Sequence, residues 1–368
     1  RQLSLTPLPE GPWGRLWAYD VLLAPPGDVL ESLPPPEPGG AWVFDGAPDT
    51  AVREALAAVG DADVRAQLQA LFAEAPRDGG RRVVRPSTEL VLATPASFRE
   101  ILFPYLVGGL GASDPVQFIP FPTEIPIEQW FDTGSMPQSA RDALVRLAYP
   151  IRGGFAISDW GVLYHVLENR AERLAAQRAA LRVPSLVVLL EKPAEGDVAA
   201  VAHYWSRTTG RNIDRILRSF LAAEDIRFLD IVHLLPPVAR EFLNTYFVAD
   251  GIGPTPSCLW TTFNFGAEVP DERFLVLPDT WTEDGDRAWL ELMASYQWIP
   301  EPSRLGDVIV YRRTGAESVL HACTFVAGGV VYTKNGFTFS APWHLARGGD
   351  VDTLYLREGV EKVYFRPR

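Results

Sequence analysis

Three β-rich segments near the C-terminal end, separated by two turn signals, constrain this chain most. Gly306-Asp307 opens Val308-Ile-Val-Tyr311, and the polar stretch 312–318 separates it from Val319-Leu-His-Ala-Cys-Thr-Phe-Val326. Gly328-Gly329 then leads into Val330-Val-Tyr-Thr-Lys-Asn335. A Gly-Gly pair between two apolar runs is a hairpin signal, because the favoured two-residue turns need φ > 0 at their centre. The expectation is an antiparallel sheet in the last third of the chain. Alternation along a strand puts His321 and Cys323 on one face, and Thr333 and Asn335 on one face of the next strand.

Upstream of these strands, Tyr246 to Ser257 is a loop rich in glycine and proline, with Gly251 and Gly253 inside it. It delivers Cys258 at the start of an apolar segment, CLWTTFNF. Read as a helix, this segment holds Cys258 in its first turn, with Pro256 and Ser257 as a fitting helix start. Free N–H groups and the helix dipole there favour a thiolate, the reactive form of cysteine. A cysteine nucleophile needs an imidazole to exchange its proton, and that imidazole needs an orienting partner on its far nitrogen. His321 is the candidate base. Asn335 or Thr333 is the candidate third residue. Each has a plainer reading when taken alone. Cys258 is a buried small side chain, His321 a core histidine, and Asn335-Gly336 an ordinary turn. The ordered set is what carries the catalytic reading. Cys323 reads as core on the histidine strand.

In order and approximate spacing this block resembles the NlpC-type cell-wall hydrolases, a papain-like family. The matching features are Tyr246, the Gly-rich loop, Cys258, Gly306-Asp307 before VIVY, His321, and Asn335 or Thr333 one hairpin later. The resemblance covers about 120 residues. It implies a papain-like domain with a helix-borne cysteine against an antiparallel sheet. It also implies acyl transfer through a thioester on Cys258, with His321 as proton carrier and no metal or organic cofactor. Tyr246 and Ser257 fall on the oxyanion and substrate side, Tyr246 beside the Cys258 backbone N–H. A count without gaps from His321 lands on Thr333, while the planar amide of Asn335 makes it the better chemical partner, so both stay open. The family usually shows Asp-Cys-Ser-Gly at the nucleophile, where this chain has Ser257-Cys258-Leu259-Trp260. The missing aspartate bears on peptidoglycan specificity rather than on the catalytic pair.

The rest of the 368 residues is less informative. The front part reads as mixed α/β of unassigned fold, punctuated by proline. Expected elements include a strand over 15–23, one or two helices over 49–75, extended segments over 83–94 and a long helix over 158–181. A strand over 185–190, a helix over 211–223 and a strand over 226–235 follow. Pro115–Pro126 is the expected seam, giving segments 1–120, 121–243 and 244–368 in an α+β chain. The formal net charge of -12 argues against a nucleic-acid partner. No run of 18 apolar residues is present, so no membrane span is expected. Gly-Gly pairs at Gly79, Gly108 and Gly153 lack the strand–GxGxxG–helix setting of a nucleotide loop. His165, His203 and His233 are isolated and read as structural, and His344 as a surface or packing residue. The chain begins at Arg1, and together with the resemblance this sets the expectation of an exported bacterial protein whose signal peptide has been removed. The expected function is a thiol-dependent amide hydrolase acting on cell-wall peptide or a similar peptide. The alternatives are a papain-fold binding or scaffold protein without the chemistry, or an acyltransferase using the same thioester.

Overall fold

A computed structural model describes the chain except for residues 1–3, 33–40, 79, 110–118, 123–124, 133, 135, 152–153, 168, 208–211, 249–253, 277–280 and 337–340. Gly251, Gly253, Gly79, Gly153 and half of the Pro115–Pro126 stretch therefore lie outside the described residues. The protein is mixed α+β and divides into two compact units. One comprises residues 1–25 with 183–368, the other residues 26–182. These units do not follow the segments 1–120, 121–243 and 244–368. The N-terminal strand joins the unit that carries the cysteine, because it pairs along its whole length with a strand that starts at Val183.

In the unit of residues 26–182, Arg99 and Asp159 form a buried ion pair at 3.1 Å. Trp42 Nε1 donates to the same carboxylate at 2.6 Å, and the Arg99 guanidinium also donates to the carbonyls of Val91, Thr94 and Arg146. A fully buried guanidinium is tolerable only when its donors are met in this way. Phe44, Phe72, Phe98 and Phe103 pack around Trp42 and one another. Two expectations change here. The stretch 83–94 is not extended throughout, since Thr88–Ala93 is a helix capped by the Ser87 hydroxyl, which accepts from Leu90 N–H at 3.2 Å. The long helix over 158–181 is two helices, Trp160–Val166 and Arg170–Ala180. The second starts anew because the Asn169 side chain caps Glu172 N–H.

The other unit holds two larger sheets. Strands β1 (Leu16–Leu23), β2 (Val183–Glu191) and β3 (Phe228–Asp230) lie side by side, with the short strand Thr6–Pro7 outside β1. The strand expected over 226–235 ends at Asp230, whose side chain caps Val232 N–H and turns the chain into a 3-10 segment. Helices α1 (Val198–Ser206) and α2 (Ile213–Ala222) connect β2 to β3. The six-stranded antiparallel sheet contains β4 (Tyr296–Ile299), β5 (Val308–Arg313), β6 (Val319–Ala327), β7 (Val330–Lys334), β8 (Trp343–Arg347) and β9 (Val360–Pro367). Their spatial order is β4-β9-β5-β6-β7-β8. Helices α3 (Cys258–Phe263) and α4 (Trp281–Ser295) precede it, and α5 (Gly348–Tyr355) links β8 to β9.

Both faces of this sheet are covered, which explains why its central strands read as continuous apolar runs. Val308, Val310, Ala322, Val330, Tyr332 and Leu345 pack on the α3–α4 side with Cys258 and Trp260. Ile309, Tyr311, Cys323, Phe325, Val331 and Ala346 pack on the α5 side with Val351. The β6–β7 turn is Gly328-Gly329 with φ of +57° and +80°, values that a β-carbon would penalise at both positions. Just before it the register shifts between Phe325 and Ala327, leaving Val326 as a bulge whose carbonyl accepts from the Tyr204 hydroxyl.

The Gly306-Asp307 turn fixes where β5 begins. Gly306 has φ of +91°. The buried Asp307 carboxylate accepts from Ser303 and Arg304 N–H at 2.7 and 2.8 Å and takes both arms of Arg366 on β9 at 2.7 and 2.6 Å. Removing it strands two backbone donors and a guanidinium. Asp307→Ala is therefore expected to lower the unfolding free energy by about 3 kcal/mol, measured by urea titration. A loss under about 1 kcal/mol would mean that the turn holds without the carboxylate.

Candidate active site

The short helix α3 owes its start to Ser257. This residue is extended, and its Oγ accepts from Leu259 and Trp260 N–H at 3.1 and 3.4 Å. Such a cap meets donors that have no partner inside the helix. Cys258 is the first helical residue, as the sequence leads one to expect. Thr261 Oγ1 donates to Ser257 O at 2.8 Å and accepts from Trp343 Nε1 at 2.9 Å, which ties α3 to β8. Ser257, assigned by resemblance to the substrate side, has its hydroxyl engaged in the cap.

Cys258 meets the sheet where its ladder stops. The β6–β7 pairing runs from Ala327 opposite Val330 to Thr324 opposite Tyr332 and goes no further. Beyond that point Thr333 and Lys334 pair only with His344 and Trp343 on β8, while His321, Ala322 and Cys323 pair only with β5. Phe325 N–H points towards β5, donating to Asp307 O. Alternation therefore turns Ala322 N–H towards β7. Continuing the register two residues would put Lys334 opposite Ala322. Instead the Ala322, Leu259 and Cys258 N–H groups lie near the Cys258 sulfur. Burial pushes the thiol pKa up, and the three N–H groups and Lys334 oppose that shift.

His321 stands on the α5 side. Its ring stacks on Tyr355 with centroids 3.9 Å apart and planes 3° from parallel, and Tyr311 lies 5.8 Å away. Tyr311 donates to Asp352 at 2.8 Å, and Lys362 holds both oxygens of that carboxylate. Nε2 of His321 lies 3.2 Å from Thr333 Oγ1, and that hydroxyl donates to Asn335 Oδ1 at 3.1 Å. A hydroxyl has one proton. Since Thr333 gives its proton to Asn335, it accepts from the imidazole, so Nε2 carries the hydrogen and Nδ1 keeps its lone pair. The structure thus brings His321, Thr333 and Asn335 together as a chain, with Thr333 next to the ring and Asn335 behind it. No hydrogen bond joins Cys258 to His321 among the described residues. The sulfur lies near the peptide N–H of the very next residue, while the ring is on the α5 side with Tyr355.

Tyr246 follows a segment laced to β8, since Asn244 N–H donates to Trp343 O and Trp343 N–H to Thr245 O. Its hydroxyl is buried and, among the described residues, has no hydrogen-bond partner. Cys323 is core on the α5 side. His203 is exposed, its ring 2.7 Å from Arg207. His344, expected as a surface or packing residue, is buried and donates Nδ1–H to Pro342 O at 3.1 Å. Two neighbours of the site were not singled out in the sequence. Tyr355 lies on a helix that apolar periodicity did not announce. Lys334 is wholly buried, with its ammonium 5.5 Å from the Trp343 ring centre and 3.4 Å from Gly336 O. A lysine inside an apolar strand was the available signal.

Among the described residues no group of three histidine, cysteine or acidic side chains is arranged to hold a metal. No helix among them is long and apolar enough to cross a membrane. No family model, curated protein or solved structure matches the chain.

Burial lowers the His321 pKa to about 3, with His344 adding to the effect, and lowers that of His344 to about 4. Both rings are neutral in the folded chain and take up protons on unfolding, so the unfolded state binds more protons below the ordinary value of about 6.5. Their contribution is complete above that value and is lost as pH falls towards about 4 and then 3, at roughly 1.4 kcal/mol per pH unit for each ring. Urea unfolding near neutral pH and near pH 4 is expected to show this loss. The His344→Gln variant should lose less on acidification, and an equal loss would contradict the assignment.

Proposed function

We propose that the unit comprising residues 1–25 and 183–368 is a papain-like thiol enzyme that transfers acyl groups from amides through a thioester on Cys258. The observation that carries this reading is the chain from Asn335 through Thr333 to His321. It orients the imidazole, which a thiol–imidazole mechanism requires. The helix-start cysteine, the N–H groups near its sulfur and the buried Tyr246 hydroxyl support it. In this reading the Cys258 sulfur attacks the carbonyl carbon, the C–N bond breaks and the amine leaves with a proton. Water then cleaves the thioester with His321 Nδ1 as base, restoring the thiol. Tyr246 polarises the carbonyl. The substrate proposed is a peptide amide, cell-wall peptide by the resemblance, met by an exported bacterial protein. Transfer to an amine in place of water would make the same site an acyltransferase.

A second reading is a papain-like scaffold without turnover. Burial favours it, since Cys258 and His321 are only 3% and 1% exposed. Acetylation by p-nitrophenyl acetate separates the two. The enzyme is expected to give a burst, acetyl on Cys258 and continued turnover. Cys258→Ala should give neither, and His321→Ala should trap acetyl-Cys258 with deacylation slowed about 10²- to 10⁴-fold. Release accelerated by an added amine would indicate transfer. A folded protein that never acetylates Cys258 would leave the scaffold.

A further inference from the structure

We propose that Tyr355 is a positioning residue for His321, its ring fixing the plane of the imidazole and facing the positive charge that the imidazole acquires when it takes a proton from water. This rests on the reading of His321 as the base that cleaves the thioester, and names the group that holds it. In that step a water O–H bond breaks, an N–H bond forms on the imidazole and the oxygen bonds the thioester carbon. The C–S bond then breaks, the proton leaves with the Cys258 sulfur, and nothing is oxidised or reduced.

One hydrogen bond fixes a point on a ring but not its plane. Thr333 Oγ1 supplies that point, 3.2 Å from Nε2 of His321. Tyr355 supplies the plane, with centroids 3.9 Å apart and rings 3° from parallel. Ring pairs of the core in this unit, such as Trp13–Tyr204 and Trp289–Phe365, cross at 69° and 85°, the edge-to-face packing that aromatic side chains commonly adopt. The parallel stack on His321 departs from that habit. Tyr355 is itself held. It ends α5 three residues after Asp352, a spacing that puts both on one helix face. The Asp352 carboxylate accepts from Tyr311 Oη at 2.8 Å and from Lys362 Nζ at 2.8 and 2.7 Å. The Tyr311 ring lies 5.6 Å from Tyr355 and 5.8 Å from His321. Three rings thus close a triangle that one acid pins to β5 and β9.

The chemistry of the surroundings gives the stack its second task. The groups facing the imidazole are Tyr311 on β5, Cys323 on its own strand, His344 on β8, and Asp352 and Tyr355 on α5, with Lys362 on β9 behind Asp352. The hydrogen-bonded chain behind the ring, Thr333 and Asn335, is neutral and cannot balance an imidazolium, and the Asp352 carboxylate is engaged by Tyr311 and Lys362. The electron-rich face of a phenol attracts a cation lying within about 6 Å of its centre. Tyr355 presents that face at 3.9 Å. Burial opposes protonation of His321, and the stacked face offsets part of that opposition when the proton arrives.

The test compares Tyr355→Leu and Tyr355→Phe with the parent by two readouts. One is the burst and turnover of p-nitrophenyl acetate. The other is the NMR spectrum of histidine-labelled protein, with His321→Gln assigning the ring signals. Tyr355→Leu is expected to slow deacylation about tenfold and to leave the burst rate unchanged, because p-nitrophenolate departs without a proton. A general disturbance of the site would slow both steps. Tyr355→Phe keeps an aromatic face and should deacylate within about twofold of the parent. The His321 ring protons should lie upfield in the parent and the phenylalanine variant, as a stacked ring requires, and move downfield in the leucine variant. A folded leucine variant with unchanged deacylation overturns the proposal. So does a phenylalanine variant that loses as much, since the hydroxyl and not the face would then matter. Should the leucine variant not fold, the phenylalanine variant still decides, and a parent spectrum without upfield His321 signals overturns the proposal with no variant at all. The hydrolase reading fails separately, by absence of acetyl turnover in the parent. The spectrum then decides alone, and His321 signals that stay in place in the leucine variant overturn the hold of Tyr355.

Discussion

The candidate site is built around the point where the β6–β7 ladder stops. Ala322 N–H is turned towards β7 where β7 has parted from β6, and a buried donor without a partner costs on the order of 1–3 kcal/mol. The Cys258 sulfur lies near it. The helix is thereby held against the sheet, with Ser257 capping its start and Trp343 bonding Thr261. A closed ladder at Ala322 would leave no place for the sulfur in the sheet.

Around that point the charges are few. Two imidazoles, a second thiol and a phenol are held neutral by burial, and an amine sits among them. The polar chain from His321 to Asn335 lies on the α5 side of the sheet.

Much of this was legible in the sequence, and the exceptions have physical causes. The helix start at Ser257-Cys258, the Gly-Asp turn and the Gly-Gly hairpin rest on local rules that leave local signatures. The face shared by His321 and Cys323 follows from strand alternation. Asn335 looked the better partner of His321 because side-chain chemistry can be read from a sequence and contact order cannot. In the structure Thr333 stands between them. The breaks inside 83–94 and 158–181 come from Ser87 and Asn169, whose side chains outcompete continuation of the preceding element. The partners of the cysteine unit before Leu23 and after Val183 are brought together by a pairing that spans most of the chain, which no local pattern announces.

The bulge at Val326 has a further reach. Cross-strand partners share a face, and a two-residue turn with no extra residue would place Thr333 opposite Thr324, on the side of the cysteine helix. Lys334 would then look towards Tyr355 and the imidazole. The one residue inserted in β6 exchanges these two side chains, giving the hydroxyl to the histidine and the amine to the face of the cysteine helix. In effect the hairpin works as a parity switch, and Val326, which bears no reactive group, decides which chemistry each face of the sheet receives.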